Sequence, residues 1–243
     1  MTSDAARFRA LSAEALGTAF LVAGVVGSGI MAQRLTHDVA LQLLCNTLAT
    51  GALLTVLILV FAPVSKAHFN PVVSLVFALR GEIAPANALL YVVAQIAGAI
   101  AGTAAAHLMF ALPLLAAGTH ARTGAAIWFA EGVATFGLVL TILGTAARGS
   151  SFVAAAVGLY ISAAYWFTSS TSFANPAVTI ARALTPSFAG IRPEDVAYFI
   201  AAQIAGALLA AGAGALLFDA TPRPLPAGAS DEKADRPRPS RDA

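Results

Sequence analysis

Six apolar stretches constrain the fold of this chain more than any other feature. A helix that crosses a bilayer needs about 20 predominantly apolar residues. Six stretches meet this requirement, at residues 8–32, 39–62, 86–110, 126–147, 152–168 and 194–218. Only 11% of the residues are charged and 58% are hydrophobic, whereas a typical soluble domain has about 25% charged residues. We therefore predict an all-α membrane protein with six spanning helices.

The flanking segments predict how the chain sits in the membrane. The first apolar stretch lacks a clear cleavage site, so we interpret it as a retained span. Residues 219–243 are rich in proline and charge, which predicts a disordered tail after a transmembrane domain of residues 1–218. Basic residues favour the cytoplasmic side. With both termini in the cytoplasm, that side holds the tail and Arg7, Arg9, Lys66, Arg80 and Arg148. The outer side then holds Arg34, Arg122, Arg182 and Arg192. We expect this orientation in the cell's inner (plasma) membrane.

The two halves of the chain, at about 8–110 and 126–218, repeat three short sequences in the same order. AEALGT at 13–18 resembles AEGVAT at 130–135, and FNPVV at 69–73 resembles ANPAV at 174–178. AQIAGA occurs identically at 94–99 and 202–207. Each half contains three spans, so the second half enters the membrane upside down. An inverted repeat of this kind places a solute site near the membrane midplane.

Each half also carries Asn-Pro at the start of an apolar segment too short to span, at 71–80 and 176–184. Asparagine is a strong N-cap and proline suits the first helical position. We therefore predict two re-entrant half-helices that begin at Asn70-Pro71 and Asn175-Pro176. Their positive ends would meet at mid-membrane, where they oppose cations, and both asparagine amides could donate to a passing oxygen.

Glu14 and Glu131 are the acidic residues deep within the predicted spans, at equivalent repeat positions. Intramembrane carboxylates are costly and usually have partners. We predict that both accept hydrogen bonds from backbone N–H groups of the re-entrant loops. The alternative is a proton relay in an ion-coupled secondary transporter.

These motifs together resemble the major intrinsic protein family, the aquaporins and aquaglyceroporins, over about residues 8–218. The resemblance rests on His68-Phe69-Asn70-Pro71-Val72, Ala174-Asn175-Pro176-Ala177, the two Ala-Glu-x-x-x-Thr motifs and the Gln-Ile-Ala-Gly-Ala repeats. It implies a homotetramer with one pore per subunit and passive conduction of small neutral solutes through a bilayer, without a cofactor. A net charge of +2, a single cysteine and scattered histidines offer no nucleic-acid or metal site. We find no nucleophile–base set, so we do not expect an enzyme.

The sequence departs from the family pattern at two places. Val72 stands where the family usually has alanine, in the first Asn-Pro motif. Val178 stands where the family typically has the arginine of its outer constriction, and Arg182 follows one helical turn later. Whether Arg182 compensates is left open by the sequence.

Family spacing, counted without gaps from the two asparagines, adds three positions to this constriction. They are Thr50, Ala163 and Ser172, which form a small, uncharged set with Val178. A wide, moderately polar opening predicts passage of glycerol-like polyols, water and urea. Arsenous acid and other metalloid hydroxides are further candidates, because some bacterial relatives with altered filters look like metalloid channels. A mainly water-selective channel is the alternative.

Overall fold

The computed structural model describes residues 3–218, and in this range every regular element is helical. The elements are α1 (Ser3–Leu35), α2 (Val39–Ser65), α3 (Pro71–Leu79), α4 (Pro85–Met109), α5 (Ala125–Thr145), α6 (Ser150–Phe167), α7 (Pro176–Arg182) and α8 (Val196–Phe218). Short 3₁₀ turns, Ala146–Arg148 and Pro193–Asp195, precede α6 and α8. The proposed tail at 219–243 lies outside the described residues.

The six predicted spans correspond to six helices that are long and apolar enough to cross a membrane. The helix ends differ from the predicted ones by a few residues. The largest difference is at α1, which begins at Ser3 because the polar start of the chain simply continues the helix. The α2 helix passes through Pro63 and ends at Ser65, and Lys66 caps it with a left-handed backbone (φ 68°). The half-helices α3 and α7 begin at the two prolines, as predicted from the motifs.

The two halves pack in the same way. Helix α1 packs against α2 and α4, and its counterpart α5 packs against α6 and α8. Helices α2 and α6 contact each other and join the halves. Each half-helix also contacts a span of the other repeat, since α3 contacts α8 and α7 contacts α4. The short helices are therefore held inside a ring of spans, with their first residues facing each other.

Close helix contact explains why the same glycine recurs in both copies of AQIAGA. A Cβ on Gly98 of α4 would lie 2.1 Å from the carbonyl oxygen of Ala15 in α1. A Cβ on Gly206 of α8 would lie 2.3 Å from the carbonyl oxygen of Gly132 in α5. Small residues let membrane helices approach this closely. Ala15 and Gly132 each follow one of the buried glutamates, so these contacts fix the depth of both carboxylates.

The outer surface of the ring is apolar. Large side chains such as Phe129, Leu159, Leu209 and Leu216 are exposed, which suits contact with lipid or with neighbouring subunits. The polar residues deep in the spans are buried instead, among them Glu14, Glu131, Gln95 and Gln203. The polar chemistry of the membrane region is thus confined to the inside of the ring.

Candidate functional site

Both Asn-Pro motifs form N-caps where the half-helices meet. The Asn70 side chain, through Oδ1, accepts from the backbone N–H of Val72 at 3.1 Å. The Asn175 side chain accepts from Ala177 at 3.0 Å and from Val178 at 3.3 Å. In both caps, the side-chain amide oxygen accepts from backbone N–H groups of its own half-helix. The Nδ2 groups consequently point away from their own helix starts.

The two asparagines also tie the repeats to each other. Asn70 Nδ2 donates to the carbonyl of Ala174 at 2.7 Å, and Asn175 Nδ2 donates to the carbonyl of Phe69 at 2.7 Å. A primary amide has two N–H donors, so each asparagine retains one. Both residues line the central cavity. The site therefore offers two spare donors, side by side, at the junction of two helix N-termini.

The loops that lead to the asparagines have matching left-handed residues. Ala67 and Ser172 have φ of 51° and 49°, and Phe69 and Ala174 both have 48°. Each such conformation costs a non-glycine residue roughly 1–3 kcal/mol, so other contacts must hold the loops.

Glu14 provides four of these contacts in the first repeat. It accepts from Ser65 Oγ (2.6 Å), the N–H of His68 (2.9 Å), the N–H of Phe69 (2.7 Å) and Gln95 Nε2 (2.8 Å). The carboxylate satisfies the two backbone donors of a loop that has no regular structure of its own. Gln95 donates in addition to Ser74 Oγ of α3, at 3.0 Å, so it links span, loop and half-helix.

Glu131 repeats this arrangement in the second half. It accepts from the N–H groups of Phe173 (3.2 Å) and Ala174, and from Gln203 Nε2 at 2.8 Å. Gln203 also donates to Thr179 Oγ1 of α7, at 2.8 Å. Sequence reasoning saw the repeated glutamine but missed its role. The signal was its recurrence in both halves, within the identical AQIAGA sequence that follows each Asn-Pro motif.

A cavity of about 240 Å³ passes both asparagines. Apolar side chains of the spans line it, such as Leu54, Ile58, Leu138, Val157 and Ile161. The two re-entrant loops line it as well, with Ser172 and the two asparagines. A cavity with many apolar and a few polar lining groups suits a small solute that has both kinds of surface.

Val72 does not narrow this cavity. Its side chain is buried against Val76, Val139, Ala207 and Ala210, in a cluster between α3 and the spans of the second half. The next residue, Val73, lines the cavity instead. The additional volume of the Val72 side chain therefore contributes to packing between α3 and the spans of the second half.

The prediction that Ala163 lines the constriction is wrong, because its side chain is exposed on the outer face of α6. Ile161 and Tyr165 of the same helix line the cavity. Residues four apart share a helix face, and Ala163 lies midway between them on the opposite face. Counting residues by the family spacing therefore selects a position on the wrong face of α6.

Thr50, Ser172 and Val178 all line the cavity, and Tyr165 and Arg182 join them there. The hydroxyl of Tyr165 donates to Thr50 Oγ1 at 3.3 Å, between α6 and α2. This end of the cavity contains an aromatic residue and a guanidinium group after all, at positions that the motif does not indicate.

The loop between α4 and α5 stabilises this end of the cavity. Arg122 donates through Nε to the carbonyl of Gly190 (3.0 Å) and through Nη1 to the carbonyl of Ser170 (3.2 Å). Burial, followed by the nearby Arg122 guanidinium, lowers the pKa of the His120 imidazole in the same loop. His120 is therefore uncharged at neutral pH, and the positive charge here belongs to the arginines.

Six spans around two half-helices that meet at capped asparagines define a polytopic membrane protein with a central passage. The family model described as "Major intrinsic protein" matches residues 1–172. The chain belongs to the major intrinsic protein family, which is a family of channels.

Curated relatives agree with this assignment. The chain is 60% identical over 198 residues to the protein named Aquaglyceroporin AqpS of Rhizobium meliloti (strain 1021), covering 82% of this chain and 85% of the relative. It is 33% identical over 221 residues to Aquaporin A of Dictyostelium discoideum, covering 84% and 76%. The X-ray structure of the aquaglyceroporin from Plasmodium falciparum superposes with a TM-score of 0.63 and 24% identity, covering 85% of this chain and 94% of that one. This last likeness supports the fold.

Proposed function

We propose that the protein is a passive channel for small neutral solutes, of which glycerol-like polyols and water are the main ones. The observation that carries this proposal is the cavity that Asn70 and Asn175 line together with apolar side chains of the spans. A polyol has both hydroxyls and apolar carbon surface, so it can contact both kinds of lining group at once. The 60% identity to a protein named an aquaglyceroporin supports the same solute class.

Val178 favours a solute larger than water at the outer end of this cavity. A short apolar side chain replaces the fixed charge and several donors that arginine would supply there. Neutral metalloid hydroxides such as arsenous acid belong to the same size and hydrogen-bonding class as glycerol, and we include them among the proposed solutes.

A mainly water-selective channel is the second candidate, and the outer end of the cavity favours it. Tyr165 is hydrogen bonded to Thr50 across two helices, and Arg182 lines the same region. An aromatic ring and a guanidinium narrow a passage and raise its polarity, which favours single-file water.

An ion-coupled transporter that uses Glu14 and Glu131 receives less support. Both carboxylates are fully buried and neither is among the residues that line the cavity. The oxygens of each accept hydrogen bonds from loops and glutamines. Carboxylates engaged in this way are suited to holding the loops rather than to exchanging protons with a solute.

The protein is a multi-pass membrane protein, and three finer features of it are proposals. We propose that it lies in the inner (plasma) membrane, with both termini in the cytoplasm, because basic residues favour that side. We also propose a homotetramer with one passage per subunit, as the family resemblance implies. The apolar outer faces of exposed residues such as Leu159 and Leu216 suit either lipid or a neighbouring subunit.

Replacing Val178 with arginine tests the proposed solute class. With purified protein in liposomes, we expect Val178→Arg to lower glycerol and arsenous acid flux about tenfold, because a long charged side chain enters the cavity beside Tyr165 and Arg182. Water flux should fall much less. Val178→Met is the matched control, since it adds length without charge, and it should have a smaller effect on glycerol. Wild-type protein that passes water alone, with little change on substitution, would instead identify a water channel.

A further inference from the structure

The positive charge at the outer end of the cavity comes from an unexpected position. Arg182 lies one helical turn after Val178 and is the last residue of α7. One turn corresponds to a rise of about 5.4 Å, which an arginine side chain can span. Both residues line the same cavity, so the arginine reaches the region that Val178 leaves open.

Three uncharged groups hold the Arg182 guanidinium. Its Nε donates to the carbonyl of Ala189, and its central carbon lies 3.3 Å from the centroid of the Phe173 ring. The Tyr165 side chain is a further neighbour of the guanidinium. None of these groups carries a charge, and the charged groups Arg122 and Glu131 act on the guanidinium with opposite signs. A buried cation fixed in this way keeps its field, because little water is present to screen it.

Tyr165 connects this cation to the opposite wall. It interacts with Arg182 of α7 and donates to Thr50 of α2, and all three residues line the cavity. We call Thr50, Tyr165 and Arg182 the rim of this end. A solute here meets the rim and the side chain of Val178, since all four residues line the cavity.

We propose that Arg182, positioned by Phe173 and Tyr165, excludes cations at the outer constriction. It takes the role that an arginine at position 178 would have. The inference rests on the proposed function, since it assigns the selectivity of the same passage. The proposal gives two residues of the site different roles. Arg182 rejects cations, while the short Val178 side chain leaves room for neutral solutes larger than water.

The competing source of cation exclusion is the pair of half-helix N-termini at Asn70 and Asn175. Each N-terminus carries about half a positive charge, and that barrier remains when Arg182 is replaced. The two barriers can be separated by one substitution. Arg182→Gln removes the charge and leaves an amide that can still donate to the Ala189 carbonyl.

The experiment uses full-length protein in liposomes, with methylammonium as the cation and glycerol as the neutral probe. Wild type should pass glycerol and exclude methylammonium. Arg182→Gln should raise the ratio of methylammonium flux to glycerol flux about tenfold, because the electrostatic barrier to cations at the rim is lost. Arg34→Gln is the matched control. Arg34 also donates to a backbone carbonyl, of Phe110, and lies over that residue's ring, but it is not among the cavity-lining residues.

A second variant keeps the test decisive should Arg182→Gln fold poorly. Val178→Glu leaves Arg182 in place and offers it a carboxylate at the i,i+4 spacing, so methylammonium flux should again rise. Wild type that passes methylammonium as readily as glycerol would overturn the proposal. Unchanged exclusion in folded Arg182→Gln, or in Val178→Glu if the first does not fold, would overturn it too. Loss of glycerol flux in wild type would contradict the proposed function instead, and water flux would then serve as the neutral reference.

Discussion

Glu14→Leu is expected to abolish accumulation of the folded protein. Leucine has a similar volume but accepts no hydrogen bond, so Ser65 Oγ, the N–H groups of His68 and Phe69, and Gln95 Nε2 all lose their acceptor. An orphaned buried donor costs about 1–3 kcal/mol, and four are created together. The first loop also contains strained residues that these bonds hold in place. Yield of monodisperse protein in detergent, and its unfolding temperature, measure the effect.

The matched comparison is Glu14→Gln. Its amide oxygen can still accept from part of the loop, so this variant should fold with a lower unfolding temperature than wild type. Glu131→Leu should behave like Glu14→Leu, because Glu131 holds the second loop in the same manner. Wild-type stability in Glu14→Leu would show that the loop does not depend on the carboxylate.

Gly98→Ala is expected to have the second largest effect on stability. The added methyl would lie 2.1 Å from the carbonyl oxygen of Ala15, and backbone atoms cannot move aside as a flexible side chain can. Helices α1 and α4 must therefore separate, which also shifts Glu14 away from its loop. Overpacking of this kind costs about 1–3 kcal/mol or more. Thermal unfolding of purified protein should show a clear drop in the midpoint.

Gly212→Ala is the control for this substitution. Gly212 lies within α8, and a Cβ there would meet nothing within 4 Å. Alanine is favoured over glycine inside a helix by about 1 kcal/mol, so this variant should be as stable as wild type or slightly more stable. Equal midpoints for Gly98→Ala and Gly212→Ala would mean that the α1–α4 contact is looser than the geometry indicates.

The sequence predicts most of the fold because its signals are local. Apolar length identifies the six spans, and Asn-Pro marks both half-helices, since capping depends on a few adjacent residues. The pairing of Gln95 with Glu14 is different. It depends on how closely α4 approaches α1, which only the packing of Gly98 against Ala15 determines.

The end of the cavity near Thr50 and Val178 was the least predictable part of the candidate site for two physical reasons. Counting back from Asn175 assumes a fixed path for the chain between α6 and α7, and that path sets which face of α6 turns inward. The count selects Ala163, whereas Tyr165 lies on the inward face. Arg182 could not be assigned because a long side chain at a helix end can point several ways. Its contacts with Phe173 and Ala189 decide the direction.

Glycerol flux through purified wild-type protein in liposomes tests the central claim most directly. The account predicts rapid glycerol entry, followed by light scattering, that rises in proportion to the glycerol gradient and is indifferent to a pH gradient. Fast water flux should accompany it. Uptake that saturates and requires a pH gradient, or fast water flux with no glycerol entry, would contradict the account.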